Sequence, residues 1–397
     1  MKKFLAWLFC VMLLTQPVFA QSEKKLILDT NTQQTENVDI SISAPSALLM
    51  EKTTGNVLYE KEADVQRAPA SVTKIMTLLL IFDALEDGKI ALEDEVTVSE
   101  RAASMGGSQV FLEAGEKQTV DTMLKCIAVA SANDACVAMA EHISGSEEAF
   151  VKAMNERAKR LGMEHTSFVN CNGLDAEGHM TTARDIAKMS RELIVKHPKI
   201  REYSMIWMDH IVHMTRKGSS DFGLSNTNKM VRMYEHTTGL KTGSTGNAKF
   251  CVSATAEKNG MEMIAVVLGA ETSKERFADA VALLNYGFGR CSLYRDEDPP
   301  ALEALKMTGG KKEWIPLRYE GTFSYLDTEG KNLKEIEVSQ ELPSHLEAPV
   351  KEGEEVGRLV YRLGRDELGS VKILAGKTIE KAGFLDMAGR MADGLLL

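Results

Sequence analysis

Residues 68–88 read APASVTKIMTLLLIFDALEDG, and this stretch decides the predicted fold. From Ser71 to Glu86 the pattern predicts a helix that ends at Asp87-Gly88. After Lys74 the helix is apolar on nearly every face, which is typical of a helix buried in a core. The helix therefore belongs to the centre of a domain, with Ser71 and Lys74 at its start.

Strand-forming segments lie on both sides of this helix in the sequence. Apolar runs around short turns predict two hairpins, one over residues 46–59 and one over residues 248–268. Residues 120–194 have mainly helical periodicity, Thr182 to Asp185 resembles a capping box, and residues 273–286 predict a closing helix. This order predicts an α+β domain in which an antiparallel sheet is flanked by helices.

The predicted domain boundary is the charged, proline-stiffened segment from Asp296 to Pro300. Beyond it, period-two stretches alternate with Gly-rich turns and predict a small all-β domain. The last residues have apolar side chains at helical spacing, which predicts an amphipathic helix on a membrane surface; an ordinary packing helix or a frayed tail is the alternative. The predicted segments are a signal peptide over 1–20, a polar spacer over 21–40, the α+β domain over 41–294, the β-rich domain over 295–378 and the tail over 379–397.

The first twenty residues have the features of a secretory signal. Lys2 and Lys3 precede an apolar stretch, and Val18-Phe19-Ala20 supplies a small-x-small cleavage pattern. The alternative is an uncleaved membrane anchor, although the apolar run is short for a membrane span. Both interpretations predict an exported protein, either secreted or at the outer face of the bacterial cytoplasmic membrane.

Composition excludes one class of function. The chain has 397 residues, 44% of them apolar, and a formal net charge of -10. A nucleic-acid-binding protein needs a basic face, so nucleic acid is not an expected partner.

After the signal peptide the chain keeps five cysteines, an odd and widely spaced set in mainly apolar contexts. This set predicts buried free thiols rather than a disulfide scaffold.

The motif Ser71-Val72-Thr73-Lys74 brings a hydroxyl and an amine onto one helical face, close enough for the amine to take the serine proton. Burial and a nearby cation would both lower the pKa of the amine toward that task. The pattern alone is weak, because Ser22-Glu23-Lys24-Lys25 matches it inside the polar spacer. Ser71 differs because it starts a buried helix, where backbone N–H groups can hold an oxyanion.

Two further polar motifs follow along the chain. Ser131-Ala132-Asn133 lies between two apolar runs, where it is either a helix cap or the edge of a site that relays a proton and orients an amide. Lys241-Thr242-Gly243 lies in a predicted edge strand, which is either an ordinary strand end or a surface to which a peptide adds as a further strand. There the lysine supplies a cation, the threonine a hydroxyl, and the glycine room for close approach.

The order of these three motifs, about 60 and 110 residues apart, resembles that of the low-molecular-mass penicillin-binding proteins. These are D-alanyl-D-alanine carboxypeptidases of the peptidoglycan wall. Leu161-Gly162-Met163, Asn172-Gly173-Leu174, the hairpin after Lys241 and the C-terminal half are also similar to that family. The resemblance implies a β-lactamase/DD-peptidase-like catalytic domain, then a small all-β domain and a C-terminal amphipathic helix.

The resemblance also implies a role for each motif residue. The implied catalytic residues are Ser71 as nucleophile, Lys74 as base, and Ser131 and Asn133 for proton transfer and substrate placement. The implied substrate-binding residues are Lys241, Thr242, Gly243, Ser244, whose backbone N–H joins that of Ser71 in an oxyanion hole, and Arg276 for the terminal carboxylate. The expected partners are peptidoglycan stem peptides, with β-lactam antibiotics as covalent inhibitors. The expected reaction is removal of the terminal D-Ala, and neither a metal nor a cofactor is expected.

Two departures from the family pattern concern the motifs. Ala132 stands where many relatives have glycine, a change that should be tolerated. Asn247-Ala248-Lys249 replaces a commoner Ala-Gly ending, which predicts a different substrate preference.

Four alternatives remain from the sequence. A class A β-lactamase has a similar trio but needs a deacylating glutamate within Glu-x-x-Leu-Asn, and Glu164 to Phe168 lacks that pattern. A D,D-endopeptidase would use the same residues to cut cross-links. A catalytically inactive wall-binding protein would keep only the scaffold. His210 and His213 could ligate the metal of a hydrolase, although no motif for a third ligand accompanies them.

Overall fold

The structure is a computed structural model that describes residues 40–215, 218–384 and 386. The predicted signal peptide, nearly all of the spacer and most of the tail lie outside the described residues and stay predictions. The described strands are β1 (Ser46–Glu51), β2 (Val57–Lys61), β3 (Glu95–Thr97), β4 (Lys117–Thr119), β5 (Met208–Thr215), β6 (Gly218–Ser225), β7 (Thr237–Thr245), β8 (Lys249–Lys258), β9 (Met261–Ala270), β10 (Ser292–Arg295), β11 (Leu305–Thr308), β12 (Trp314–Ile315), β13 (Leu317–Tyr319), β14 (Ser324–Asp327), β15 (Ile336–Glu341), β16 (His345–Glu347), β17 (Glu355–Leu363) and β18 (Asp366–Ala375). The described α-helices are α1 (Lys74–Glu86), α2 (Glu100–Ala103), α3 (Val120–Ala128), α4 (Asn133–Ser144), α5 (Glu147–Arg160), α6 (Ala183–Lys196), α7 (Ile200–Ser204), α8 (Met230–Met233) and α9 (Ser273–Arg290).

A five-stranded antiparallel sheet forms the centre of the larger domain, in the order β2-β1-β9-β8-β7. Strands β1 and β9 are buried along their whole length, and alternate residues of each enter different cores. Leu48 and Met50 belong to the core that contains α1 and α3–α6, whereas Ala47 and Leu49 pack with α9. Because side chains alternate across a strand, a strand covered on both faces produces this three-layer arrangement. The predicted sheet flanked by helices is confirmed.

The predicted buried helix is confirmed, but it begins later than predicted. Nine of the thirteen residues of α1 are buried. Ser71 lies before α1, in a 3-10 turn over Ala70–Thr73. In such a turn the side chains at positions i and i+3 eclipse one another, so the Ser71 hydroxyl comes directly beside Lys74.

The hairpins, the start of α6 and residues 161–182 were also predicted from local sequence patterns. Both hairpins are present, as β1–β2 and β8–β9. Thr182 caps α6 by accepting a hydrogen bond from the backbone N–H of Asp185, but the predicted capping box is incomplete. The Asp185 carboxylate instead accepts from the His165 backbone and the Thr166 hydroxyl. Residues 161–182, predicted within a mainly helical region, form turns and isolated bridges.

The C-terminal region that follows α9, described here over residues 291–383, has β-strands and no helix apart from a 3-10 turn over Leu333–Glu335, as predicted. Its sheets have the orders β13-β18-β17-β15, β12-β11-β16 and β10-β14. Strand β10 directly follows α9 and pairs with β14, while Tyr361 Oη donates to Asp296 Oδ2 at 2.7 Å. Ile379 is buried in the core of this C-terminal region and bridges to Val350. The residue bounds proposed for the two domains stay predictions.

The cysteines agree with the prediction of free thiols. Cys126, Cys136, Cys171 and Cys251 are free and buried, and Cys291 is free and partly exposed.

Of the helices within residues 40–215 and 218–384, none combines the length and apolar character needed to cross a membrane.

Candidate active site

The amine of Lys74 is the centre of the site. Its Nζ lies 3.0 Å from Ser71 Oγ, 2.6 Å from Asn133 Oδ1 and 2.6 Å from the carbonyl oxygen of Asn172. The lysine is 0% exposed, and this burial lowers the pKa of its amine below the ordinary value of 10.5. The first and second motifs therefore meet at one amine whose environment disfavours its protonated form.

The three partners define what a neutral Lys74 amine can do. Asn133 Oδ1 is an acceptor, because Nδ2 of the same amide donates to the Gly106 carbonyl oxygen at 2.7 Å. The Asn172 carbonyl oxygen is also an acceptor. Both hydrogens of a neutral amine are thus engaged, and its lone pair is left facing Ser71 Oγ. The arrangement allows Lys74 to accept the serine proton.

Two glycines allow other segments to approach the turn that carries Ser71. A Cβ on Gly173 would lie 1.9 Å from the carbonyl oxygen of Ala70, and Gly173 itself has φ of +91°. A Cβ on Gly243 would lie 2.7 Å from the backbone nitrogen of Ser71. Only glycine permits either approach. Ala70 has a left-handed φ of 49°, so the turn is also locally strained.

A buried histidine supports the same turn without titrating near neutral pH. Nδ1 of His179 accepts a hydrogen bond from the backbone N–H of Val169 at 2.9 Å. The neutral ring therefore carries its hydrogen on Nε2, which donates to Thr73 Oγ1 at 2.8 Å. Burial lowers the pKa of His179 to about 4. The contact therefore holds Thr73 in place with a neutral imidazole.

The helix-cap interpretation of Ser131-Ala132-Asn133 is wrong. Helix α4 begins at Asn133, its N-cap residue is Ala132, and no side chain caps it. The Asn133 side chain bonds Lys74 and Gly106 instead. Ser131 has φ of 61°, and its buried Oγ has no hydrogen-bond partner among the described residues. A buried, unpaired hydroxyl on a strained backbone is costly, and such positions cluster at functional sites.

The loop over residues 106–112 supports this motif and was not identified from the sequence. The backbone N–H of Asn133 donates to the Ser108 carbonyl oxygen at 2.7 Å. The buried carboxylate of Asp134 accepts from the backbone N–H groups of Val110 and Leu112, each at 3.1 Å. Burial raises the pKa of Asp134. The only available signal was the Gly106-Gly107 pair, which indicates a turn and nothing more.

Strand β7 carries the third motif at the edge of the sheet, as predicted. Lys241 is 1% exposed, and its Nζ donates to the Thr242 carbonyl oxygen at 3.1 Å. Burial, and then the charge of Lys74, lower the pKa of Lys241 well below its ordinary value. Two buried amines close together cannot both hold a proton cheaply, whereas a bound carboxylate would supply the missing opposite charge. Ser244 is exposed on the same strand.

Arg276 reaches the same strand from α9. Its Nη1 donates to the carbonyl oxygens of Gly243 and Cys251, at 3.1 and 3.2 Å, and its Nη2 donates to Ser273 Oγ at 3.1 Å. The guanidinium also lies over the Phe277 ring, 4.5 Å from its centroid. Burial lowers the pKa of Arg276 to about 10. Its assignment to the substrate carboxylate stays a prediction.

The segment around Asn172 was noticed for its resemblance but given no role. Besides the Asn172 carbonyl oxygen on Lys74, the Cys171 carbonyl oxygen accepts from Thr77 Oγ1 of α1. The Asp175 carboxylate accepts from Thr245 Oγ1 at 2.7 Å, at the end of β7. One short segment thus connects α1 with the third motif.

The two histidines of the metallo-hydrolase alternative have different environments. His210 is exposed, whereas His213 is buried and bonds Glu116 through Nδ1 at 2.9 Å. Among the described residues, one group of metal-ligand type, Asp83, Glu86 and His197, has its ligand atoms within 4.8 Å of one another. Asp83 already accepts from Arg157 and Lys196. It also lies about 14 Å along α1 from Lys74, so this group is separate from the site.

Two protein families match the chain. The family described as D-alanyl-D-alanine carboxypeptidase matches residues 30–272. The family described as penicillin-binding protein 5, C-terminal domain, matches residues 290–381. D-alanyl-D-alanine carboxypeptidase DacF from Bacillus subtilis is 43% identical over 355 residues, which cover 89% of this chain and 90% of that protein. D-alanyl-D-alanine carboxypeptidase DacC from Escherichia coli is 33% identical and covers 90% of this chain and 88% of its own length.

Solved structures give the same result for the fold. Penicillin-binding protein 5 from Haemophilus influenzae has a TM-score of 0.73 and 27% identity, and covers 87% of this chain and 100% of its own. Penicillin-binding protein 6B from Escherichia coli has a TM-score of 0.68 and 27% identity, and covers 85% of this chain and 97% of its own. Because the similarity extends across both halves of the chain and nearly the whole of each relative, this chain belongs to the D-alanyl-D-alanine carboxypeptidase family of serine peptidases, the low-molecular-mass penicillin-binding proteins.

Proposed function

We propose that the chain removes the terminal D-Ala from peptidoglycan stem pentapeptides through an acyl-enzyme on Ser71. The observation that carries this proposal is the Lys74 amine, which is buried, bonded to two acceptors and 3.0 Å from Ser71 Oγ. That geometry supports a serine nucleophile with lysine as its base. Membership of the family supports the substrate class.

The reaction divides into acylation and deacylation. Ser71 Oγ attacks the carbonyl carbon of the penultimate D-Ala and passes its proton to Lys74 Nζ. The backbone N–H groups of Ser71 and Ser244 receive the oxyanion. The C–N bond then breaks as the departing D-Ala amine takes a proton from Ser131, which regains the proton that Lys74 Nζ received. In deacylation, water attacks the ester carbonyl carbon and passes a proton to Lys74 Nζ, which gives it to Ser71 Oγ as the ester C–O bond breaks and the shortened peptide leaves as its acid.

The test of this function uses two substrates. Purified protein is incubated with a stem pentapeptide and, separately, with a cross-linked dimer, and the products are identified by mass. We expect release of one D-Ala from the pentapeptide. Cleavage of the dimer with no release from the pentapeptide would instead establish the D,D-endopeptidase alternative, which the same residues could perform.

Labelling by a fluorescent penicillin separates two further alternatives. We expect a long-lived covalent adduct, because a β-lactam acylates the same serine. Rapid penicillin turnover would revive the β-lactamase alternative, although Glu164 is an exposed residue in a turn. An absence of both labelling and D-Ala release would indicate an inactive wall-binding protein.

Gly243→Ala is expected to lower the rate of penicillin acylation by about 10²-fold, because a misplacement of about 1 Å costs that much in a preorganised site. The new Cβ would meet the backbone nitrogens of Ser71 and Val72 at 2.7 and 2.9 Å, so β7 must move away from the turn. The measurement is the second-order acylation rate. Gly246→Ala is the matched control, because a Cβ there meets nothing within 4 Å. Equal rates for both variants would contradict the close approach.

We infer that the protein is exported and touches the membrane through its tail. The signal-like first twenty residues and a substrate in the wall support export, and the amphipathic spacing after residue 383 supports membrane contact. A chain ended after Gly383 keeps Ile379 and the hydrogen bond from Ala382 to Gly309. This shortened chain should move from the membrane fraction to the soluble fraction. If it stays with the membrane, the tail is not the anchor.

A further inference from the structure

A cavity of about 280 Å³ lies between the loop over residues 106–112 and the hairpin β5–β6, and none of the three catalytic motifs includes it. Its lining includes Phe111 from the loop, His213 from β5, and Ser220 and Phe222 from β6. The Phe222 ring meets the rings of Phe111 and His213 edge to face, with centroids 5.8 and 5.6 Å apart. Aromatic rings and a hydroxyl group therefore share one small cavity.

Phe111 has a strained backbone and an exposed side chain. Its φ is 62°, in the left-handed region that bulky residues rarely adopt. The residue is nevertheless 62% exposed. The buried carboxylate of Asp134 accepts hydrogen bonds from the backbone N–H groups of Val110 and Leu112, the residues on either side. Asp134 thus fixes the backbone that presents this ring to solvent, and strain of this kind is retained at ligand-binding sites.

A second buried carboxylate joins the two walls of the cavity. Glu116 is 3% exposed, and its Oε2 accepts from the backbone N–H of Glu113 at 2.9 Å. Its Oε1 bonds His213 Nδ1 in β5, also at 2.9 Å. The position of each wall is therefore set by buried hydrogen bonds, so the cavity is already formed before a ligand binds.

The lining indicates the class of ligand. The C–H groups on one face of a sugar ring carry partial positive charge, which complements the negative face of an aromatic ring. Ser220 pairs with His213 across the hairpin and lies two residues before Phe222, so its hydroxyl is on the same face as both rings and can bond the polar groups of a sugar. A purely apolar ligand would leave that hydroxyl unpaired. The cavity is smaller than the roughly 300–1,000 Å³ of sites for drug-sized ligands, which suits a single ring.

We propose that this cavity binds an N-acetylated sugar ring of the glycan strand that carries the stem peptide, so that the enzyme prefers peptides still linked to the glycan. This inference rests on the proposed function and adds a second contact to its substrate. The loop that carries Phe111 also accepts hydrogen bonds from Asn133 at the carbonyl oxygens of Gly106 and Ser108, and Asn133 bonds Lys74. The sugar site and the catalytic amine therefore share one supporting loop.

The experiment compares two substrates that share one pentapeptide. One is the free peptide, and the other carries the N-acetylglucosamine–N-acetylmuramic acid disaccharide at its amino end. We expect kcat/KM to be roughly 10-fold higher on the disaccharide substrate, the scale of one aromatic contact and a hydrogen bond. The gain should come through KM, because the sugar is remote from the reacting bond. Phe222→Leu keeps an apolar side chain but removes the ring, and should lower this ratio of kcat/KM values to less than about twofold.

The ratio does not depend on how much of a variant folds, because both substrates report on the same active molecules. Trp314→Leu is the matched control, since it removes an exposed aromatic ring from β12, and it should keep the ratio of the unsubstituted enzyme. A ratio near one in the unsubstituted enzyme would overturn the inference. So would a ratio that Phe222→Leu leaves unchanged, or an equal loss on both substrates, which would place the peptide in the cavity.

A binding measurement separates this inference from the proposed function. The trisaccharide of N-acetylglucosamine is titrated into the unsubstituted chain and into Phe222→Leu, and binding is followed by NMR. We expect binding that Phe222→Leu weakens by about 10-fold. If neither substrate is cleaved, the proposed function fails, but trisaccharide binding that depends on Phe222 would still support the sugar site. An absence of both trisaccharide binding and the disaccharide preference would overturn it.

Discussion

Ser71→Ala is expected to abolish covalent labelling by a fluorescent penicillin and to lower D-Ala release by on the order of 10⁶-fold, the scale of losing a catalytic serine. The physical reason is that Ser71 Oγ is the hydroxyl bonded to the Lys74 amine. Of the partners of that amine in the described chain, Asn133 Oδ1 and the Asn172 carbonyl oxygen cannot form an ester. The measurements are gel fluorescence and release of D-Ala from a pentapeptide.

A control variant shows that the loss belongs to this serine. Ser339→Ala removes a hydroxyl in the β-rich C-terminal region, where it accepts from Arg362 at 3.1 Å, and should label normally. Thermal unfolding of Ser71→Ala should match that of the unsubstituted chain, because the alanine removes only a partly exposed hydroxyl. Covalent labelling that persists in Ser71→Ala would rule out Ser71 as the nucleophile.

Lys74→Met is expected to lower the acylation rate by about 10²- to 10⁴-fold, the usual contribution of a general base. Methionine is unbranched and of similar length, so it fills the buried space while removing the amine. Acylation by penicillin, measured by stopped flow, checks the rate, and circular dichroism checks the fold. Lys89→Met, at an exposed lysine paired with Asp87, is the matched control and should acylate normally.

The pH dependence of acylation tests the state of Lys74. A protonated amine has no lone pair, so the rate should rise as the pH rises through the pKa of Lys74 and then level off. Burial lowers that pKa below 10.5, so the rise should come at a lower pH than the titration of an exposed lysine. Lys74→Met should lose this rise. If the variant keeps it, another group is the base.

Combining the two substitutions tests whether the residues act as a unit. Residues that share one step are strongly non-additive, because the second loss removes nothing that the first has left. The double variant Ser71→Ala, Lys74→Met should therefore be no slower in D-Ala release than Ser71→Ala alone. A further large loss would indicate that Lys74 also acts outside the activation of Ser71.

The spacing of apolar residues along the sequence predicted most of the helices and strands correctly, because that spacing depends only on residues within one element. An element is apolar on each face that the rest of the fold covers. This relation is visible in the sequences of β1, β8, β9 and α1. The start of α1 was predicted wrongly because Ala70 lies against Gly173, a residue far along the chain. No pattern within residues 68–88 contains that contact.

The site was predicted in part. The motifs supplied Ser71, Lys74 and Asn133, which the structure brings together. They did not supply the Asn172 carbonyl oxygen or the loop over residues 106–112. Those groups act through backbone atoms, and backbone atoms leave no characteristic residue type in a sequence.

By itself the sequence determined the order of three motifs, the buried helix after Ser71 and the α+β character of the domain, because each depends on residues near one another in the chain. The tertiary structure alone decided that Ser71 lies in a 3-10 turn and that the Lys74 amine lies 3.0 Å from its hydroxyl with two further acceptors around it. It also decided that burial disfavours the charge on that amine. These properties depend on distant segments that exclude water and supply acceptors, and only folding brings those segments to the lysine.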